Sequence, residues 1–271
     1  MTELISAYPP EAWAALLATG ALIGLLAGLL GVGGGVVAVP VLLEVFTLVG
    51  VGEPAAVLLA VGTSQASILV ASLTAVVAHW RAGTIDFALA QAWLPSLTAG
   101  AFLGLALAPF APPKALTLMF AAVAAVLAIK MVVGDRLTVA RREPQGPLSH
   151  LAPLAVGGLA SAVGVGAGTL STPILTLFSF PVRKAVGAGA LFNLVISLPA
   201  AIVFTLIDRD TPGRTADALG DVALFCVAAL SLPALFVAPF AARWSTRVPV
   251  VVLQRLFALC LAVIAARLLF R

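Results

Sequence analysis

The stretch GLLGVGGGVVAVPVLL, from Gly28 to Leu43, decides the fold of this chain. It places four glycines within five positions and then sets Pro40 in a run of apolar residues. Glycine and proline both weaken the interior of an α-helix. One helix over residues 11–50 would be roughly 60 Å long, about twice the thickness of the hydrocarbon core of a bilayer. The sequence therefore predicts that the chain turns back at the glycines.

The composition around this stretch indicates a membrane protein. Of the 271 residues, 62% are hydrophobic and 10% are charged, whereas a soluble domain carries about 25% charged residues. Apolar runs of roughly 20 residues are typical of membrane-spanning helices, and the alternation typical of a membrane β-barrel is not found. We therefore expect an all-α integral membrane protein with the lipid bilayer as its partner.

Charged and turn residues divide the chain into about ten hydrophobic helical segments, some of which could be broken or re-entrant. The segments cover approximately residues 11–31, 35–50, 55–79, 87–110, 114–133, 151–164, 168–180, 184–207, 219–241 and 248–270. The polar residues 134–150 form a cytoplasmic linker between them. We therefore expect a first transmembrane repeat over residues 1–133 and a second over residues 151–271.

The two halves resemble each other. The opening stretch aligns without gaps with SAVGVGAGTLSTPILT, from Ser161 to Thr176, so that the glycines and the proline of each motif coincide. LTLMFAAVAAVLAIK, which starts at Leu116, likewise resembles LQRLFALCLAVIAAR, which starts at Leu253. If each half has an odd number of crossings, the two repeats are inverted relative to each other. This arrangement is typical of secondary transporters.

The basic residues predict the orientation, because cytoplasmic loops of membrane proteins are enriched in lysine and arginine. With the N-terminus outside, the inner loops receive a large share of the basic side chains, including Arg81, Arg183, Arg243 and Arg247. Trp13 and Trp93 are expected to anchor helices at the membrane interfaces. We expect a multi-pass protein of a bacterial-type plasma (inner) membrane.

The duplicated glycine motif, each copy followed by a proline, resembles the TauE/SafE family of sulfite and organosulfur-anion exporters. VGTS, from Val61 to Ser64, also fits that family, and the resemblance covers essentially the whole chain. It implies a multi-span carrier for small anions such as sulfite, sulfoacetate or related sulfonates, coupled to protons. One departure is Ala167, which stands where the first motif has Gly34.

Backbone without helical pairing is tolerated at membrane depth only where it is buried in protein or lines a polar cavity. A break there frees N–H groups, and a helix that starts after it directs the positive end of its dipole at the gap. Hydroxyl and amide side chains could add further donors to the oxygens of an anion. The candidate substrate-binding residues are Gly33, Gly34, Gly35, Thr63, Ser64, Gln65, Gly166, Ala167, Gly168, Thr169, Ser171 and Asn193. The alternative is that they serve helix packing and interhelical hydrogen bonding.

Three ionisable residues are candidates for charge or proton coupling. Arg255 lies inside the tenth segment, where a charge is a functional candidate, although its long side chain could instead reach the membrane surface. Glu44 could carry a proton or lie at the outer interface, and His79 could relay protons or mark the inner boundary. Catalytic residues, cofactors, metals and nucleic-acid partners are not expected. Val36 breaks the glycine spacing that dinucleotide binding requires, and no other motif for these functions is found.

These features predict a secondary transporter, acting as an exporter of a small anion by alternating access and driven by protons or the membrane potential. Two alternatives share the same sequence features: an anion channel, and a membrane component that takes part in assembly or sensing without transport. The chain could also form an oligomer.

Overall fold

The computed structural model describes residues 8–110, 149–206 and 214–249 continuously, together with residue 112 and scattered positions between 118 and 129 and between 251 and 266. The continuous parts are almost entirely helical. The helices are α1 Pro10–Leu30, α2 Gly35–Leu48, α3 Glu53–Arg81, α4 Phe87–Leu107, α5 Leu151–Val163, α6 Ala167–Leu177, α7 Val182–Leu206 and α8 Leu224–Ser245, with a short 3-10 turn at Ala108–Phe110. The predicted all-α fold is confirmed for this part of the chain.

The chain turns back at the first glycine motif, as the sequence predicts. Gly31 ends α1 with a φ of 64°, and Gly33 and Gly34 both have a φ of 74°, a left-handed conformation that glycine adopts without steric cost. Gly34 then lies against Ile23, which is about two turns before the end of α1. In the second motif Gly164 ends α5 with a φ of 77°. Each motif is therefore a break between two helices.

Helix length separates two classes of segment. Five helices in the described residues are long and apolar enough to cross a membrane: α1, residues 55–81 of α3, α4, α7 and α8. In contrast, α2 has 14 residues, α5 has 13 and α6 has 11, so each is about 21 Å long or less. Because the hydrocarbon core is about 30 Å thick, these three helices are too short to cross it alone. Predicted segments 114–133 and 248–270, and nearly all of the linker, lie outside the continuously described residues.

The helix packing interleaves the two halves of the chain. The most extensive helix pairs are α1 with α8 and α4 with α5, and α3 packs along α7. If the four helices of each half are exchanged in order, α1 with α5 and so on to α4 with α8, the pair α1–α8 becomes the pair α4–α5. The pair α3–α7 is unchanged by this exchange. The pairs α2–α3 and α6–α7 correspond in the same way. This pattern is the one expected for two copies of a unit related by a pseudo-two-fold axis.

Small residues allow the closest of these approaches. Gly20, Gly24 and Gly28 lie one turn apart on α1, and a Cβ at any of them would overlap the backbone of α8. Gly100 and Gly157 make equivalent backbone contacts between α4 and α5. Packing through small residues is a general property of membrane helices, and here it applies to glycines outside the two motifs.

A short hairpin follows α7 and corrects one predicted boundary. Residues predicted to begin the ninth helical segment at 219 instead form β1 (Ala218–Leu219) and β2 (Val222–Ala223), and helix α8 begins only at Leu224. The hairpin turn is inserted between α3 and α7, where the carbonyl oxygen of Asp221 lies against Gly62. Asp221 is 1% exposed and pairs with Arg214 at 3.3 Å. A segment assigned from its charges to an outer loop is therefore partly buried in the helix bundle.

Candidate anion-binding site

The two glycine breaks lie directly against each other. A Cβ at Gly168 would overlap the carbonyl oxygen of Gly31, and one at Gly35 would lie 2.5 Å from the carbonyl oxygen of Gly164. Any larger residue at either position would force the two backbones apart. The glycines therefore permit contact between the breaks, in addition to permitting the turns.

Asn193 of α7 joins the two breaks with a single amide group. Its Nδ2 donates to the carbonyl oxygen of Gly31 at 2.9 Å, and its Oδ1 accepts from the N–H of Gly168 at 2.7 Å. The side chain is 1% exposed, so both bonds form away from water. Asn193 therefore satisfies a terminal carbonyl of α1 and an N-terminal N–H of α6 at the same time.

Two hydroxyl groups make further bonds between the halves. Thr169 Oγ1 donates to the carbonyl oxygen of Val32 at 2.9 Å, so it reaches from the second break to the first. Ser64 Oγ of α3 donates to the carbonyl oxygen of Gly164 at 2.8 Å. Both side chains are fully buried. Thr169, Ser64 and Asn193 each donate to a carbonyl of the opposite half.

Gln65 extends this network and brings in a residue that sequence reasoning missed. Its Nε2 donates to the carbonyl oxygen of Ala160 near the end of α5 at 3.2 Å, and its Oε1 accepts from Ser197 Oγ at 2.9 Å. Ser197 lies one helical turn after Asn193 on α7 and is fully buried. A polar residue at i+4 from a candidate is the signal that could have identified it.

Three other residues from the sequence analysis have different surroundings. Thr63 Oγ1 accepts a hydrogen bond from the N–H of Ala223 at 3.0 Å, so Thr63 holds the hairpin against α3. Ser171 is fully buried on α6, and its hydroxyl has no hydrogen-bond partner among the described residues. Trp93 was expected at a membrane interface, and this prediction is wrong: the ring is 3% exposed and stacks on Phe192 with a centroid distance of 5.5 Å.

Backbone N–H groups at both breaks remain available. Those of Gly33, Gly34 and Gly35, and those of Gly166 and Ala167, have no hydrogen-bond acceptor among the described residues, and all five residues are buried. Buried N–H groups are paired in nearly all native structures. They lie at the start of α2 and α6, where the helix dipole favours an anion. Within the described residues, the two breaks therefore combine buried donors with a positive potential and no cationic side chain.

None of the three predicted coupling residues lies at these breaks. Glu44 and Arg255 are both exposed. His79 is fully buried but holds α3 to α1: its Nε2 lies 3.1 Å from the carbonyl oxygen of Gly28, and its Nδ1 lies 3.0 Å from Thr84 Oγ1. Because a carbonyl can only accept, Nε2 carries a proton and donates to Gly28, while the Thr84 hydroxyl donates to the carbonyl oxygen of His79 at 3.1 Å. In this arrangement His79 stabilises a helix contact.

Comparison with known proteins identifies the family. The family model described as "Sulfite exporter TauE/SafE" matches residues 16–268. The chain belongs to the TauE/SafE family. Family membership supports a multi-pass membrane transporter of the TauE/SafE type and gives no indication of an enzyme.

Relatives in bacteria and an archaeon are named "Probable membrane transporter protein". One from Haemophilus influenzae is 28% identical over 257 residues, which cover 94% of this chain and 97% of the relative. One from Xylella fastidiosa is 30% identical over 200 residues, covering 67% of this chain and 71% of the relative. One from Methanocaldococcus jannaschii is 28% identical over 179 residues, which cover 63% of this chain and 64% of the relative. No solved structure matches the chain significantly.

Proposed function

We propose that this TauE/SafE protein exports a small oxyanion, such as sulfite, sulfoacetate or a related organosulfonate, through a site between its two glycine breaks. The observation that carries the proposal is the set of buried N–H groups at Gly33–Gly35 and Gly166–Ala167 that have no acceptor in the part of the chain that the structure describes. Oxyanions are bound in this way at helix N-termini in many proteins. The name of the family supports sulfite as the substrate class.

The hydrogen bonds around the site also support transport by alternating access. Gly31 with Asn193, Val32 with Thr169, and Gly164 with Ser64 are bonds between the two halves of the chain. An anion that takes over such donors would replace protein–protein bonds with protein–anion bonds. Its binding would therefore weaken the connection between the halves, which is the coupling that a transport cycle requires.

The pseudo-two-fold packing supports inverted repeats over residues 1–133 and 151–271. Inverted repeats place a binding site near the bilayer midplane and allow two exchanged conformations. The contacts of the hairpin with Gly62 and Thr63 would close one face, which the distribution of basic residues assigns to the outside. We propose a bacterial-type inner membrane with the N-terminus outside. Protons or the membrane potential supply the energy.

The test combines ligand binding with transport by the full chain. Purified protein in detergent is heated with sulfite, sulfoacetate, taurine, acetate or a neutral sulfone. An oxyanion at 100 times its Kd should add about 2.7 kcal/mol of stability, which the neutral sulfone should not do. In liposomes, flux of the same oxyanion should saturate and respond to an imposed pH gradient or potential. If none of the anions stabilises the protein or is transported, the proposed function is wrong.

Non-saturating flux without coupling would instead identify an anion channel. Stabilisation by an anion without any flux would identify a sensor. Ser64→Ala and Thr169→Val each remove a hydrogen bond between the two halves and should therefore change the anion flux. Thr47→Ala is the matched control. Thr47 is exposed and donates only to the carbonyl oxygen of Leu43 in its own helix.

A further inference from the structure

A basic site lies between the ends of α3 and α8, away from the glycine breaks. The two helices enclose an open cavity of about 780 Å³, lined by Arg81, Arg243 and Arg247. Ligand pockets in proteins have volumes of about 300–1,000 Å³. Among the described residues, no acidic side chain lines the cavity, and none forms an ion pair with the three guanidinium groups.

On each of the two helices, an apolar part of the cavity lining is followed by arginine. On α3, Leu73, Val77 and Arg81 follow one another at intervals of four residues. On α8, Pro239 and Arg243 have the same spacing, and Arg247 lies four residues further, just after the end of the helix. Residues four apart lie on one face of a helix. The cavity therefore has an apolar end and a strongly positive end.

The cavity also opens onto the apolar surface of the molecule. Leu73 is 51% exposed, and two tryptophans beside the arginines, Trp80 and Trp244, are 63% and 60% exposed. In a membrane protein such a surface faces lipid, and exposed tryptophans are typical of the level of the headgroups. The arginines therefore lie where a lipid phosphate would lie, and the apolar end lies where its acyl chains begin.

One structural explanation accounts for part of this arrangement. A cation near the C-terminus of a helix is favoured by the dipole, which explains one arginine for each of α3 and α8. Arg247 follows the end of α8 and is a third positive charge in the same cavity. The two threonines in the lining already donate to carbonyls of their own helices. The guanidinium groups are the remaining strong donors, and they suit phosphate oxygens.

We propose that this cavity binds the phosphate headgroup of an anionic phospholipid, with the acyl chains against Leu73 and Val77. The site is separate from the proposed transport site, because the cavity is lined by none of the residues at the two breaks. Basic pockets between membrane helices on the cytoplasmic side are a general means of recognising anionic lipids. The predicted orientation places the ends of α3 and α8 on that side.

The test is native mass spectrometry of the full chain in detergent with phosphatidylglycerol or phosphatidylcholine of identical acyl chains. The wild type should bind phosphatidylglycerol more tightly, and each arginine removed should weaken that binding about five-fold. The triple variant R81Q/R243Q/R247Q should lose the preference, and the triple lysine variant should retain most of it. Arg183→Gln, which removes an exposed arginine outside the cavity, should bind as the wild type does.

Inorganic phosphate and sulfite distinguish a lipid site from a site for free anions. If either ion at equal concentration displaces phosphatidylglycerol, the lipid assignment is overturned and the cavity is a small-anion vestibule. Equal lipid binding by the wild type and the triple variant, with both showing the same elution in size-exclusion chromatography, would also overturn it. Neither outcome depends on which anion the protein transports.

Discussion

Removal of the Asn193 side chain is expected to destabilise the transporter strongly, because one amide satisfies both glycine breaks. Asn193→Ala leaves the carbonyl oxygen of Gly31 and the N–H of Gly168 without these partners in a buried place. A buried polar group that loses its partner costs about 1–3 kcal/mol. Two such groups together cost about 2–6 kcal/mol in the free energy of unfolding.

Thermal unfolding in a mild detergent, followed by tryptophan fluorescence, measures this change. At roughly 2–4 °C per kcal/mol for a chain of this size, Asn193→Ala should lower the apparent Tm by about 10 °C. Asn193→Asp retains the acceptor for Gly168 but turns a second oxygen toward the carbonyl of Gly31, so it should also be destabilised.

Ser72→Ala is the matched control for this experiment. Ser72 is 1% exposed, and its hydroxyl has no hydrogen-bond partner among the described residues, so its removal should leave Tm within about 1–2 °C of the wild type. A Tm for Asn193→Ala within the same margin would refute the reasoning. It would mean that the two breaks hold together without the amide.

Three further predictions concern other parts of the molecule. Gly168→Ala should reduce the yield of monodisperse protein in size-exclusion chromatography because its Cβ would overlap Gly31, whereas Gly52→Ala, with open space around it, should not; equal yields would contradict the close contact. His79→Leu should lower Tm by a few degrees because the carbonyl of Gly28 loses its partner, and His79→Gln should recover part of the loss; identical Tm values for both variants would argue against that bond. The hydrogen bond from Lys184 lowers the pKa of the Asp86 carboxyl in the folded protein, so its stabilisation is present above the unfolded pKa and is lost as pH falls through the folded pKa. At neutral pH Asp86→Asn should therefore be less stable by about 1 kcal/mol or less and have a slightly lower Tm. The curves of Tm against pH for the variant and the wild type should converge in acid; a constant difference would contradict this assignment.

The parts of the site that repeat along the chain could be predicted from the sequence. The two glycine motifs and Asn193 stand out because each interrupts an apolar run, and a duplicated interruption implies two breaks in equivalent places. Ser197 and Asp221 could not be found in this way. Their environments depend on which face of α7 meets α3 and on how deeply the hairpin enters, and both follow from contacts between residues far apart in sequence.

Exposure was the weaker part of the prediction. Trp93 was expected at an interface from its position in a segment, but the face of α4 that carries it packs against Phe192. His79 lies at a helix end in the sequence and yet is fully buried, because the close approach of α1 brings Gly28 to it. One-dimensional hydropathy gives the depth of a residue in the membrane and does not give the side of the helix that faces protein.

The pairing of α1 with α8 has a consequence for biogenesis. The glycine face of α1, at Gly20, Gly24 and Gly28, has its nearest backbone partners in α8, which begins at Leu224. At a synthesis rate of about 5–20 residues per second, roughly 10–40 seconds pass between the emergence of the two helices from the ribosome. During that interval the glycine face of α1 contacts lipid or the insertion machinery in place of α8. Completion of the fold therefore waits for the end of translation, and a chain truncated before α8 would leave its first helix without its main partner.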